Sequence, residues 1–381
     1  MNQFQATLRR QNSTEKAVLY MAFELSEKRW KLAFSDGNRI RQVGIDVGDG
    51  GQLDDAIGLA KERFGLDGQV RVISCYEAGR DGFWLHRYLE SCGIDNVVVD
   101  SCSIEVSRRK RRVKTDRLDA GKLVQMLMRY CWGERKVWGV VRVPTVEEED
   151  SRHLHRELET LKKERTMHRN RIRSLLKLHG VGIGNPSRKD FLDSLELVRL
   201  WDGTELPCEL KGRLKRECER LRLVQEQIRH LEQEREQRLE RRDTVHMRRI
   251  AQLMALCGIA ITSAWTFEQE FFGWRQFRNR REVAALAGLT PTPYDSGGSS
   301  REQGISKAGN RRIRSMIIQI AWKWLRYQPQ SKLSRWFDER FAHGGRRMRR
   351  IGIVAVARRL LIDLWRFLEH GLIPEGVRVV V

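Results

Sequence analysis

At 381 residues the chain is longer than one hydrophobic core ordinarily organises, so two domains joined by helices are expected. Its 72 Lys and Arg against 50 Asp and Glu leave a net charge of +22, and residues 301–381 alone carry 18 basic against 6 acidic side chains, which points to a polyanionic partner such as nucleic acid. The absence of an apolar run of about 18 residues and of a signal-peptide core argues against a membrane or secreted protein, so a soluble, cytoplasmic one is expected. Seven scattered cysteines without C-x-x-C spacing argue against a disulfide framework or a zinc centre.

Three β-like runs come first: AVLYMAFE (17–24), RWKLAFSD (29–36) and NRIRQVGID (38–46), joined by short turns as an antiparallel meander. DDAIGLAKERFG then reads as a helix, QVRVISCYE (69–77) as a strand, FWLHRYLESCG as a helix, DNVVVD (95–100) as a strand and TDRLDAGKLVQMLMRYC (115–131) as a helix. The order βββαβαβα predicts a mixed sheet with helices packed against it, an α/β domain over 1–146.

Residues 147–250 change character. Leu154, Leu158, Leu161, Ile172 and Leu175 form one apolar stripe, and Leu210, Leu214, Leu221, Val224, Ile228 and Leu231 another. Spacings of three, four and seven predict two long helices joined by 180–207, either an antiparallel hairpin or a coiled coil that makes a homo-oligomer. The third region, 251–381, reads as mostly helical and basic, with a Gly/Ser loop at 296–300. Gly258 lies between short helical segments in LMALCGIAITSAWTF (253–267), a helix-hairpin turn whose amides would suit phosphates or simply close a core element.

Two groups of residues carry chemistry. Glu24 ends the first strand and Glu77 the fourth, while Asp116 and Asp119 stand at i and i+3 near a helix start. Four carboxylates meeting at one sheet edge repel unless cations lie between them. Two Mg²⁺ ions about 4 Å apart would neutralise them and activate an oxygen for attack on phosphate. Singly, each acid has a local alternative: Asp116 as a cap, Glu77 paired with Arg80, Glu24 as a strand-end charge. Just before the Asp pair, Arg108, Arg109, Lys110, Arg111, Arg112 and Lys114 form a basic run suited to a nucleic-acid backbone, or a solvated loop. The second group lies in GLTPTPYDSGGSSREQGISKAGNRRIR (288–314): Ser296 before two glycines, then Arg301, Lys307, Asn310, Arg311 and Arg314. Glycines permit close approach of backbone to phosphate and the cations suit a developing phosphorane, although a flexible loop has the same composition.

K-T-D-R-L-D-A (114–120), C-Y-E-A-G (75–79) and the G-L-T-P, S-G and I-S-K-A-G-N elements of 288–310 together resemble the DEDD-type insertion-sequence transposases, over nearly the whole chain. The resemblance implies a RuvC-type, RNase H-like N-terminal domain and a C-terminal transposase domain. It implies that Glu24, Glu77, Asp116 and Asp119 hold Mg²⁺, that Ser296 is the nucleophile, and that a structured bridge RNA selects the DNA. Trp322, Trp324 and Tyr327 are compatible with RNA binding. The chain departs from the family at the first acid, reading A-F-E-L where a G-I-D-V-like strand carries Asp. G-I-D-V does occur at 44–47, but Asp46 falls in the third strand and is set aside. The rival readings are a metal-dependent nuclease or Holliday-junction resolvase, which needs the acids but not Ser296, and an inactive nucleic-acid-binding relative, which needs neither.

Overall fold

The run V-L-Y-M-A-F-E becomes β1 (Val18–Glu24), the middle strand of a five-stranded sheet ordered β3-β2-β1-β4-β5. It is apolar almost throughout because both faces are covered. In the computed structural model the chain divides into two compact units, residues 1–144 and 145–381. The structure describes residues 17–79, 82–101, 103–104, 120–182, 184–188, 190–296 and 299–380.

In the first unit β2 (Arg29–Ser35) pairs antiparallel with β1 and with β3 (Ile40–Asp46), the expected meander. β4 (Arg71–Glu77) and β5 (Asp95–Val99) are added in parallel through α1 (Gly50–Phe64) and α2 (Trp84–Ser91). α1 starts on the Asp49 side chain, which accepts the Gln52 N–H, and stops at Gly65, where φ of +67° suits glycine.

Alternation then sorts the side chains. Leu19, Met21, Phe23, Val72 and Tyr76 join Leu53 and Ile57 of α1 and Leu85 and Leu89 of α2 on one face. Tyr20, Ala22 and Cys75 join Ala120, Leu123, Val124 and Leu127 of α3 (Ala120–Cys131) on the other. α3 runs against β1: the Tyr20 ring lies 6.3 Å from Trp132, just past the helix end, and Cys75 Sγ lies 3.9 Å from the Leu123 carbonyl. The N-terminal end of α3 is therefore directed toward the edge where β1 and β4 finish.

In the second unit the two apolar stripes pack on each other within one chain. α4 (His153–Lys177) and α5 (Cys208–Arg241) form an antiparallel hairpin, joined by Leu158, Leu161, Val224 and Ile228 near its base and by Ile172, Leu176, Leu214 and Leu221 further out. His168 and Arg171 meet Glu217 at 2.7 Å, and Lys162 meets Glu232 at 2.6 Å.

Leu154 continues into a larger core built by α6 (Val245–Met254), α7 (Ile261–Phe267), α8 (Arg280–Leu286), α9 (Arg311–Tyr327), α10 (Lys332–Phe337) and α11 (Arg346–His370). Trp265, Phe271, Ile317, Trp324 and Leu360 lie at its centre. The expected Gly/Ser loop is corrected. β6 (Pro291–Ser296) and β7 (Ser299–Ile305) form an antiparallel hairpin in which Ser296 pairs with Ser299. Backbone pairing with the partner strand outweighs the weak strand preference of a Pro- and Ser-rich segment. Among the described residues no helix is long and apolar enough to cross a membrane.

Candidate functional site

Glu24 and Glu77 each stand one step beyond the parallel pair Phe23 and Tyr76, at the ends of neighbouring strands. Since Phe23 and Tyr76 face α1 and α2, alternation places Glu24 and Glu77 on the α3 side. The Glu24 side chain is only 20% exposed. Its Oε2 is buried without a hydrogen bond, although Lys31 Nζ, from the paired position of β2, lies 3.5 Å away. A buried carboxylate oxygen in this condition suits a hard cation, which takes oxygen ligands and offsets the cost of burial.

Asp116 and Asp119 lie outside the described residues, as do Arg108, Arg109, Lys110, Arg111, Arg112 and Lys114. In sequence Asp119 immediately precedes Ala120, the first residue of α3. Among the described residues no cluster of three His, Cys, Asp or Glu side chains is grouped to hold a metal. Asp46 ends β3, two strands from β1, and is bonded to the first turn of α1: its N–H donates to Gln52 Oε1 at 3.0 Å and its Oδ2 accepts from Gln52 Nε2 at 3.3 Å.

In the second unit Ser296 ends β6 at the tip of the hairpin. Its backbone and that of Arg301 are placed, while the side chains of 293–303 lie outside the described residues. The base of the hairpin is a contact of backbone on backbone. Ser306, Lys307 and Asn310 donate N–H groups to the Thr290, Gly288 and Leu286 carbonyls. A Cβ on Gly288 would stand 1.9 Å from the Ala308 oxygen, and one on Gly309 2.2 Å from the Leu286 oxygen. Both glycines, in G-L-T-P and in S-K-A-G-N, are thus required by sterics, and Lys307 itself adopts φ of +56°.

Asn310 caps α9, its Oδ1 accepting from the N–H groups of Arg312 and Ile313, while its Nδ2 donates to the Glu270 carbonyl at 3.1 Å. Arg314 Nη1 donates to the Ala287 carbonyl at 3.2 Å. These two side chains hold the scaffold, whereas Lys307 and Arg311 are exposed. Gly258, with φ of +100°, makes the turn between α6 and α7.

Sequence reading passed over two acids. Glu268 and Glu270 lie in a buried π-helical turn, Glu268–Phe272. Arg156 meets Glu270 with both ends of its guanidinium, at 2.8 and 3.0 Å, and Arg312 adds a third bond at 3.0 Å. Burial alone would raise the Glu270 pKa, but Arg156 and Arg312 outweigh it and hold the carboxyl below its ordinary value. Glu268 meets His246 at 2.8 Å and Arg249 at 3.5 Å. The signal was available: E-Q-E interrupts the apolar run W-T-F…F-F-G-W, and charge in such a run requires partners.

Residues 250–334, which include this turn, the hairpin and all of α9, match the family model described as transposase of the IS116/IS110/IS902 family. The chain is similar to a putative transposase of Sinorhizobium fredii, with 41% identity over 94% of each chain. It is also similar to a probable family 20 transposase of Pseudomonas aeruginosa, at 31% identity over 60% of this chain and 66% of that one. The transposase of insertion sequence element IS1111A from Coxiella burnetii is 26% identical over 68% and 67% of the two chains.

Proposed function

Because the chain belongs to the IS116/IS110/IS902 family of transposases, and is thus a DNA transposase, we propose that it cuts and rejoins DNA with an acidic sheet edge and a serine. In this reading the first unit is RNase H-like, of the RuvC type. Glu24, Glu77, Asp116 and Asp119 hold Mg²⁺, which when bound supplies charge neutralisation and Lewis acidity at a phosphate. The observation that carries the reading is the strand register: it supports two carboxylates on one sheet face, at the edge toward which the start of α3, and so the residue after Asp119, is directed. The buried Glu24 oxygen without a hydrogen bond fits the same role.

Ser296 acts on DNA from the hairpin tip. Its Oγ attacks a phosphodiester and loses its proton to solvent. The bond from phosphorus to the departing strand's oxygen breaks, and that oxygen takes a proton. The serine phosphodiester so formed conserves the bond energy, so the reverse attack by another strand's hydroxyl rejoins DNA without an added energy source. Lys307 and Arg311 stabilise charge on the phosphate oxygens. A structured RNA is the guide in this reading. The decisive experiment incubates the full chain with element-end DNA and candidate RNA and assays for a covalent adduct. Ser296→Ala is expected to eliminate the adduct and recombination with DNA affinity preserved, and an adduct recovered from that variant, or mapped to Ser299 or Ser300, refutes the assignment.

A further inference from the structure

α9 starts at the Asn310 cap and is two-faced. It buries Ile313, Ile317, Ile320, Ala321 and Trp324. Arg311, Trp322, Lys323, Arg326 and Tyr327 fall within about 160° of arc on the other side, at 100° per residue. Trp322 and Tyr327 are each 43% exposed. Their exposure is not forced by a full core, because the same helix buries Trp324 and gives its Nε1 a bond to Ser331 at 3.0 Å. α9 contains no Asp or Glu, and among the described residues Arg311, Lys323 and Arg326 have no carboxylate partner. The Arg326 guanidinium lies 5.6 Å from the centre of the Tyr327 ring. A Cβ added to Gly258 would meet Tyr327 Cβ at 3.4 Å, so the turn between α6 and α7 supports that ring from below.

We propose that this face of α9 is a track for an unpaired nucleic-acid strand, with bases stacking on Trp322 and Tyr327 and phosphates meeting Arg311, Lys323 and Arg326. Two exposed rings interleaved with unpaired cations match the chemistry of single strands, whose base faces are open, and not that of a duplex, which hides them. A second copy of this chain, itself strongly basic, is a poor match for the three cations. At 17 residues α9 is about 25 Å long, enough for the shortest single-strand sites, of about four nucleotides. The proposal rests on the transposase reading for its choice of nucleic acid, but not on Ser296 or on the acidic edge.

The test is fluorescence anisotropy of the full chain with labelled 12-nucleotide oligo(dT), oligo(rU) and a blunt duplex. Trp322→Ala should weaken single-strand binding about tenfold, with little change on the duplex, and Trp322→Phe should restore most of it. Lys323→Gln with Arg326→Gln should reduce the slope of log affinity against log salt by about 1.4. Loss on oligo(dT) alone assigns the track to DNA, and loss on oligo(rU) alone to RNA. Parent-like single-strand affinity in Trp322→Ala, or an equal loss on the duplex, overturns the proposal, as does a change in sedimentation that makes the face a contact between chains. Thermal melting keeps the variants interpretable, since Trp322 lies outside the core. A Ser296→Ala chain should bind all three probes like the parent, so failure of the strand-cutting reading would leave these measurements standing.

Discussion

Glu24 and Glu270 are both carboxylates largely withdrawn from water, and their surroundings differ in kind. Glu270 receives three hydrogen bonds from two arginines that reach it from α4 and from α9. Glu24 keeps one buried oxygen without a hydrogen bond beside a single lysine. A buried charge with its partners in place serves the fold, because removing it strands the partners. A buried oxygen left without a hydrogen bond does not by itself mark a ligand site, because Glu268 Oε2 shares that condition 3.5 Å from Arg249; what sets Glu24 apart is its place at a strand end beside Glu77. The two residues also differ in position: Glu270 ties α4 to α9, whereas Glu24 stands at the end of β1.

The sharpest way to break the comparison is at the acidic edge. Glu77→Ala, Asp116→Ala or Asp119→Ala should reduce recombination by at least about a thousandfold while DNA binding and the melting temperature stay near those of the parent. Full recombination in any one of them would remove that residue from the site.

Glu270→Ala should do the reverse and act on stability. Losing the counter-charge of two arginines should cost about 3 kcal/mol, the low end for broken buried pairs because both arginines are partly exposed, or about 6–12 °C in melting temperature by calorimetry. A smaller loss in Glu270→Ala than in Glu24→Ala would invert the contrast.

Acid sharpens it further. The folded Glu270 pKa is lowered, so its contribution to stability is fully present above the ordinary carboxylate value, about 4.3, and is lost as pH falls through the folded pKa. Melts between pH 6 and 3 should therefore fall more steeply for the parent than for Glu270→Gln.

Mg²⁺ should stabilise the parent by mass action, by about 2.7 kcal/mol at a hundredfold excess over its Kd, and should not stabilise Asp116→Ala. An equal shift in both would place the ion elsewhere. The smallest expected effect is that of Glu24→Asp, which shortens the first acid by one methylene and should hold or raise recombination, whereas Glu24→Ala should abolish it.

Periodicity made much of this molecule legible in advance. The apolar run at 18–24, the parallel additions of β4 and β5, and the stripes of α4 and α5 follow from local pattern, because burying a strand or a helix face selects side chains residue by residue. Strand-end positions made Glu24 and Glu77 candidates, and the family resemblance made Ser296 one. The roles of Asn310 and Arg314 were not legible, because a cap and a guanidinium bridge look like any polar residue near a basic run until their acceptors are known. For the buried acids the E-Q-E break in an apolar run signals that partners are needed, but not which ones, since Arg156 lies 114 residues from Glu270.

The chain alone thus determined the strands and helices of the first unit, the two apolar stripes of α4 and α5, and which residues are chemically equipped to meet phosphate. Only tertiary structure decided that a Gly/Ser stretch pairs into a hairpin, that Gly288 and Gly309 meet backbone where no side chain fits, and that Trp324 is core while Trp322 faces solvent. Those outcomes depend on atoms brought together from distant positions, and the free energy that selects them comes from long-range packing and hydrogen bonding, not from the propensity of any one segment.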